Sequence, residues 1–212
     1  MEQKQLSPGL LLDVKGNLNE CGYSNQLIKE YCRNDIKASK FRIKEWDYYY
    51  IGDSEFGIAL TIADNSYMAM VSVSVLDFVN KTHITKSPMK WFTFGKWNIP
   101  STSANGDLVR ESKGFSMKFF NDNGNRHLVC SMKNVSKGKD FSCDVFLNQT
   151  NNNSMVIATP FNKKKHFYYN QKINLLSATG WFSYGDIKHE FIDSAYGVLD
   201  WGRGVWTYSN TW

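Results

Sequence analysis

The chain has 212 residues, of which 42% are hydrophobic and 21% charged, a composition typical of one or two folded globular domains. Its net charge of +5 comes from 25 basic and 20 acidic residues that are scattered along the sequence, which argues against a nucleic-acid-binding protein. The first residues lack the apolar core of a signal peptide, and no apolar run approaches the ~18 residues of a membrane span. We therefore expect a cytoplasmic protein with no membrane span.

The residues that usually bind metals or carry out nucleophilic chemistry are dispersed. The cysteines at 21, 32, 130 and 143 form no CxxC pair, and the four histidines form no HxH or HExxH motif. GxSxG, GxGxxG and P-loop motifs do not occur either. The sequence therefore predicts reduced thiols, no metal site and no cofactor.

Residues 1–39 are polar, and we expect an irregular segment with one or two helical turns over residues 24–33, capped by Ser24. From Lys40 the pattern changes to strands with short turns between them, and residues 40–195 are predicted to form one antiparallel domain. The predicted strands cover residues 41–50, 56–63, 67–79, 83–100, 115–120, 127–133, 141–147, 155–161, 167–176 and 181–184. Since no alternation of strands and helices appears, the fold class predicted is all-β, an antiparallel barrel or sandwich.

Side-chain alternation predicts which residues share a face in the first strands. In residues 56–63 Phe56, Ile58, Leu60 and Ile62 lie on one side, and a turn over 64–66 leads to a second strand with valines at alternate positions, which predicts a hairpin. In residues 46–50 the aromatic residues Trp46, Tyr48 and Tyr50 alternate with Asp47. Asp47 is either a pocket carboxylate or an exposed residue on an edge strand.

The densest aromatic segment is residues 196–212, YGVLDWGRGVWTYSNTW. Gly202 and Gly204 flank Arg203, and glycine inside a strand indicates a bulge or a close backbone approach. One interpretation is a core strand in which Asp200 and Arg203 neutralise each other, and the other is an apolar pocket wall with few polar groups. In either case we expect Asp200 and Arg203 to face one cavity within salt-bridge distance.

The candidate site residues come from four segments. Asp200 is the candidate catalytic acid, since burial among indole rings would raise the pKa of a carboxyl group. The candidate ligand-binding residues are Trp46, Asp47, Asp64, Tyr169, Lys172, Tyr196, Trp201, Arg203, Trp206 and Tyr208. Structural alternatives stay open: Asp64 suits a turn, Tyr169 a core position and Lys172 an exposed one.

The string DWGRGVW at 200–206, followed by Tyr208 and Trp212, resembles a bacterial family of uncharacterised proteins, domain of unknown function 2804. The resemblance extends to EWDY at 45–48, LTIAD at 60–64, TPF at 159–161, FYYN at 167–170 and GVL at 197–199. Family members are usually longer, which implies that this chain is similar to their N-terminal part, with residues 196–212 leading into a second β-rich half. We accordingly expect exposed indoles at Trp201, Trp206 and Trp212, covered by that half or by self-association.

The family is itself similar to the lipocalin-like group of carotenoid hydratases and tocopherol cyclases, which enclose an apolar ligand. The resemblance implies a barrel that binds an apolar small molecule such as a lipid or isoprenoid. It also implies an alternative, an enzyme that protonates a double bond through Asp200, although the His-Asn that the hydratases have before Trp-Gly is absent here. Because exposed Trp and Tyr also stack on sugars, a carbohydrate-binding or carbohydrate-modifying β protein is a third possibility.

Overall fold

Antiparallel strand pairing dominates the computed structural model, which describes residues 4–151, 153–192 and 194–209. The strands are β1 (Gly9–Leu10), β2 (Gly22–Ser24), β3 (Lys29–Glu30), β4 (Ile43–Gly52), β5 (Phe56–Asp64), β6 (Met68–Asp77), β7 (Thr82–Lys86), β8 (Met89–Trp91), β9 (Leu108–Ser112), β10 (Phe115–Asp122), β11 (Asn125–Ser136), β12 (Lys139–Asn148), β13 (Met155–Pro160), β14 (Phe167–Tyr184), β15 (Ile187–Phe191) and β16 (Tyr196–Val205). Within the described residues, the helical elements are two 3-10 turns, Arg33–Asp35 and Lys40–Arg42. The predicted all-β antiparallel fold is confirmed.

One large sheet has the strand order β7-β6-β5-β4-β16-β14-β12-β11-β10-β9, and all its ladders are antiparallel. The sheet folds back on itself. The Tyr49 ring on β4 lies 5.0 Å from Phe119 on β10, and its hydroxyl donates to Asn121 Oδ1 at 3.2 Å. Lys86 Nζ on β7 likewise donates to the carbonyl oxygens of Lys133 and Asn134 on β11, at 3.0 and 2.8 Å. The enclosed inner face forms the core.

The chain's last described strand lies in the middle of this sheet. β16 pairs with β4 along its whole length and with β14 from Phe167↔Val205 onward. The segment predicted to lead out of the domain therefore contributes a central strand. Trp201 and Trp206 are buried within the 212 residues, so their predicted exposure is wrong, while Trp212 lies outside the described residues.

The predicted hairpin of β5 and β6 and the strands β10 to β13 are confirmed. The helical turns expected over 24–33 are wrong. Ser24 ends β2, which pairs with β13, and its Oγ donates to the Gln26 carbonyl instead of capping a helix. Strand pairing therefore overrides the local preference of this segment. β9 and β15 were not predicted.

The aromatic strand expected over 83–100 is also wrong beyond Trp91. Phe92 and Phe94 adopt left-handed backbone, with φ of 55° and 48°, and the chain turns away from β6. Asp64, fully buried at the end of β5, fixes this turn by accepting hydrogen bonds from Thr93 Oγ1 at 2.8 Å and from the Gly95 amide at 3.0 Å.

Residues 167–184 form one strand, where two were predicted. The first part of β14 lies between β13 and β16, the second between β12 and β15, and a bulge at Leu175 (φ 58°) separates them. Glycine often ends a strand, yet Gly180 lies inside β14 with φ 123°. A Cβ at this position would lie 2.1 Å from the Asp144 carbonyl oxygen. The glycine thus permits close packing of β14 on β12.

We predict that Gly180→Ala destabilises the protein by more than the about 1–3 kcal/mol of backbone strain alone, because the added methyl group also meets the Asp144 carbonyl. Gly114→Ala is the matched control, since its φ is 97° but nothing lies within 4 Å of the added Cβ. Urea unfolding of both variants measures the difference. Equal losses of unfolding free energy would contradict the steric role of Gly180.

Candidate functional site

A row of side chains crosses the outer face of the sheet where β14, β16, β4, β5 and β6 lie side by side. Ladder pairing places Asn170, Gly202, Trp46, Ala63 and Met70 directly opposite one another in that order. Since directly paired residues project to the same face, these five share one surface. The row alternates large and small residues, which produces a trough.

Gly202 is required by the position of Trp46. A Cβ on Gly202 would lie 2.3 Å from Cζ2 of the Trp46 indole, so the ring lies against the bare backbone of β16. The register of β16 with β4 shows no shift over residues 196–205. Of the two predictions for this glycine, close approach is confirmed and a bulge is wrong.

The trough widens into a cavity of about 510 Å³, which we call the outer groove. Its lining residues are Lys44, Trp46, Tyr48, Thr61, Ala63, Asn65, Met70 and Asp200. The lining is mostly apolar, and the volume falls within the roughly 300–1,000 Å³ of ligand pockets.

Asp200 lies at the edge of the outer groove and accepts hydrogen bonds from three side chains. Asn170 Nδ2 donates at 2.7 Å, Trp46 Nε1 donates at 3.3 Å, and Lys172 Nζ forms an ion pair with the carboxylate. The side chains of Asp200 and Lys172 are 27% and 39% exposed, so the pair remains in contact with solvent. Asp200 is therefore a positioned acceptor that is surrounded by donors.

An aromatic wall supports Trp46 from the side of β14. Trp46 stacks on Tyr168 with ring centroids 6.0 Å apart, and Trp206 lies 5.1 Å from both rings. Burial, and secondarily the charge of Asp200, raises the pKa of the Tyr168 and Tyr48 hydroxyls. Trp46 is thus held on one side, and its orientation toward the groove is fixed.

Lys44 stands at the other end of the outer groove. Its ammonium group lies 5.7 Å from the Trp206 ring, and no carboxylate of the described residues lies within salt-bridge distance of it. Desolvation, and then repulsion from Arg42, lowers the pKa of the Lys44 ammonium. The groove therefore has a compensated charge at one end and a partly desolvated cation at the other.

The model of the family described as a domain of unknown function, DUF2804, matches residues 2–212. The chain belongs to the DUF2804 family. The family predicted from the string at 200–206 is therefore confirmed. No curated protein matches the chain.

A similar fold occurs in the crystal structure of a candidate AttH from Nitrosomonas europaea, with a TM-score of 0.55 and 11% sequence identity. The match covers 84% of this chain and 56% of that one, so the DUF2804 chain spans about half the length of the structure it resembles. At this identity the likeness concerns the fold alone.

The DUF2804 string carries a second set of residues on the inner face. Arg203, fully buried, forms an ion pair with Asp47 at 2.8 Å and lies over the Trp201 ring, its guanidinium carbon 4.2 Å from the centroid. The guanidinium also donates to the carbonyl oxygens of Pro100, Trp46 and Gly202 at 2.8, 2.6 and 2.9 Å. Buried charges need such compensation, so Arg203 ties β16 to β4 and to the loop at Pro100.

Asp47 is buried on a central strand, so its interpretation as an exposed edge residue is wrong. Desolvation raises the pKa of its carboxyl group, and the Arg203 guanidinium opposes that shift. Asp47 and Glu45 point inward while Trp46 and Tyr48 point outward. The aromatic residues of this strand thus belong to the outer face, and the two carboxylates belong to the core.

The predicted ion pair between Asp200 and Arg203 is wrong. Residues three apart in a regular strand point to opposite faces, and Asp200 binds Lys172 while Arg203 binds Asp47. Tyr169 and Lys172 are separated in the same way. The buried Tyr169 hydroxyl donates to the Lys29 carbonyl at 3.1 Å on the inner side.

The structure therefore divides the predicted site residues into groups. The outer face brings together Trp46, Lys172, Asp200 and Trp206. The inner face holds Asp47, Asp64, Tyr169, Trp201 and Arg203 in structural contacts. Tyr196 is exposed where β16 begins, and Tyr208 lies at the surface with the Arg42 guanidinium carbon 5.6 Å from its ring centroid.

Sequence reasoning missed Lys44, Tyr48, Met70, Tyr168 and Asn170. Asn170 had a signal, since it is two residues from Lys172 and therefore on the same face of a strand. Met70 had none, because its place in the groove depends on the order of strands in the sheet. In the part of the chain that the structure describes, no group of acidic, His and Cys side chains could hold a metal ion, and no helix could cross a membrane.

We predict that the two ion pairs differ in their contribution to stability. Arg203→Met leaves the Asp47 carboxylate buried without a partner and is expected to lower the unfolding free energy by about 3–5 kcal/mol. Lys172→Met removes a partly exposed pair and is expected to cost below about 1 kcal/mol. Equilibrium urea unfolding measures both.

Arg203→Lys serves as a control for charge, since it keeps a cation but loses the branched set of hydrogen bonds. We expect an intermediate loss of stability for this variant. Equal losses for Arg203→Met and Lys172→Met would contradict the division of the motif into a core face and a surface face.

Proposed function

We propose that this DUF2804 protein binds a largely apolar small molecule in the outer groove. The observation that carries the proposal is the convergence there of Trp46, Asp200 and Met70 around a mostly apolar cavity of about 510 Å³. Most of the lining would exclude water from an apolar ligand, while the few polar groups at the ends would fix its orientation. The resemblance to lipocalin-like proteins implies a ligand of the same kind.

The hydrogen bonds at Asp200 favour binding over proton transfer. A general acid has to carry a proton and present it to the substrate. Asp200 instead accepts hydrogen bonds from Trp46, Asn170 and Lys172. A carboxylate held in this way is suited to bind a polar group of the ligand in a fixed position.

The packing of Trp46 likewise favours an apolar ligand over a sugar. Sugars stack on aromatic faces that have many hydrogen-bonding groups beside them, whereas the side of the indole that Tyr168 and Trp206 leave open faces a mostly apolar groove. The indole Nε1–H is engaged by Asp200. Trp46 therefore forms an apolar wall of the groove in a fixed orientation.

We expect that the neutral apolar dye 1-aminoanthracene binds the protein and that Met70→Trp weakens binding about tenfold or more, or about 1.4 kcal/mol, by filling the groove. Dye fluorescence in a titration reports the affinity. Met155→Trp is the matched control, because Met155 is also an exposed strand methionine but lies on β13, where it pairs with Lys172 outside the lining of the groove.

Two results would refute the proposal. One is dye binding that is equally affected by Met70→Trp and Met155→Trp. The other is the absence of saturable binding to the folded wild-type protein, checked by circular dichroism in the same buffer.

A further inference from the structure

A second surface combines exposed aromatic residues with positive charge. Phe41, Trp91 and Phe92 are 53%, 61% and 63% exposed, and Phe94 is half-buried between two of them. The Phe94 ring lies 4.9 Å from Phe41 and 6.2 Å from Phe92, which joins the 3-10 turn Lys40–Arg42 to the loop after β8. We call Phe41, Trp91, Phe92 and Phe94 the aromatic rim.

The fold holds the aromatic rim outward although the backbone conformation of two of its residues is intrinsically unfavourable. Left-handed backbone is unfavourable for bulky residues, yet Phe92 and Phe94 both adopt it. Their amides are fixed by the carbonyl oxygens of Tyr67 and Ser66, at 2.8 and 2.9 Å. The buried Asp64 carboxylate accepts hydrogen bonds from Thr93 Oγ1 and from the amides of Gly95 and Trp97. The conformation of this loop is therefore fixed by specific hydrogen bonds.

The charged residues in the two segments that carry the aromatic rim are all basic. Residues 40–44 contain Lys40, Arg42 and Lys44, and residues 89–98 contain Lys90 and Lys96, while neither segment has an acidic residue. The rest of the chain has 20 basic and 20 acidic residues and therefore no net charge. Lys40, Lys90 and Lys96 are exposed.

We propose that the aromatic rim and its flanking lysines form a docking surface for an anionic lipid bilayer. Aromatic side chains favour the interface between lipid and water, and lysines beside them are attracted to anionic headgroups. A protein partner would need a complementary acidic surface, whereas an anionic bilayer supplies negative charge without specific geometry. The proposal is independent of ligand binding in the outer groove.

The position of the aromatic rim agrees with this role. Trp91 pairs with Met68, and Met89 pairs with Met70, which lines the outer groove. The rim thus adjoins the side of that groove that Met70 lines.

The experiment is co-sedimentation of the full chain with two kinds of vesicle. We expect binding to vesicles of equal parts phosphatidylglycerol and phosphatidylcholine, no binding to phosphatidylcholine alone, and loss of binding as salt rises. Each lysine near an anionic surface contributes about a fivefold factor in affinity, so K40E/K90E/K96E should reduce binding about a hundredfold or more. K113E/K163E/K164E, with the same change in net charge at exposed sites elsewhere, should reduce it far less.

W91S/F92N tests the aromatic part. Asn tolerates the left-handed backbone of residue 92, so the fold should persist, and we expect at least about tenfold weaker vesicle binding. L175N/I192S is the matched control, since Leu175 also has left-handed backbone and both side chains are exposed, at 68% and 65%. Thermal melts of all variants verify folding.

Several outcomes would overturn the proposal. They are equal binding to neutral and anionic vesicles, no binding to either, and equal effects of the rim variants and their controls. A wild-type dimer that W91S/F92N converts into a monomer, without vesicle binding, would instead assign the rim to contacts between copies of this chain.

Discussion

The buried guanidinium of Arg203 is the constraint on which the centre of the sheet depends. Its charge has to be compensated inside the protein, and the partners come from β4, from β16 itself and from the loop at Pro100. These contacts fix β4 against β16 in one register, because the Asp47 carboxylate and the Trp46 carbonyl are both on β4. That register in turn places Trp46 opposite Gly202 and Tyr48 opposite Asp200. The outer groove is thus a consequence of the pairing that satisfies a charge on the opposite face.

Much of the fold could be predicted because period-two alternation records which residues face the core. It worked for the β5–β6 hairpin, where Ile58, Leu60 and the paired valines are buried. It misled on β4, where hydrophobicity and burial are out of phase. There Glu45 and Asp47 are buried, since Arg33 and Arg203 pair with them. Sequence patterns cannot show such compensation, because the partners are distant along the chain.

The candidate site was predicted in part, and the rest was missed because it depends on contacts between segments that are distant along the chain. Trp46, Lys172, Asp200 and Trp206 were expected from local composition, and they meet on the outer face. The segment that supplies two of them also supplied Trp201 and Arg203, which are on the other face. Composition identifies a segment, whereas assignment to a face requires the strand's register. Tyr168, Asn170 and Met70 join the site through strand order, which depends on the topology of the whole sheet.

The alternation within β16 has a consequence for how this segment tolerates change. Its odd and even positions belong to different surfaces, so the string at 200–206 consists of two interleaved sets of requirements on one strand. Substitutions at Asp200 and at Arg203 therefore affect different faces of the sheet. Insertion or deletion of one residue affects both faces, since a shift by one position exchanges the faces of all residues beyond it. The Arg203 guanidinium would then lie outside and the Asp200 carboxylate inside without a cation. Length variation among DUF2804 relatives should accordingly be confined to the turns that flank this strand.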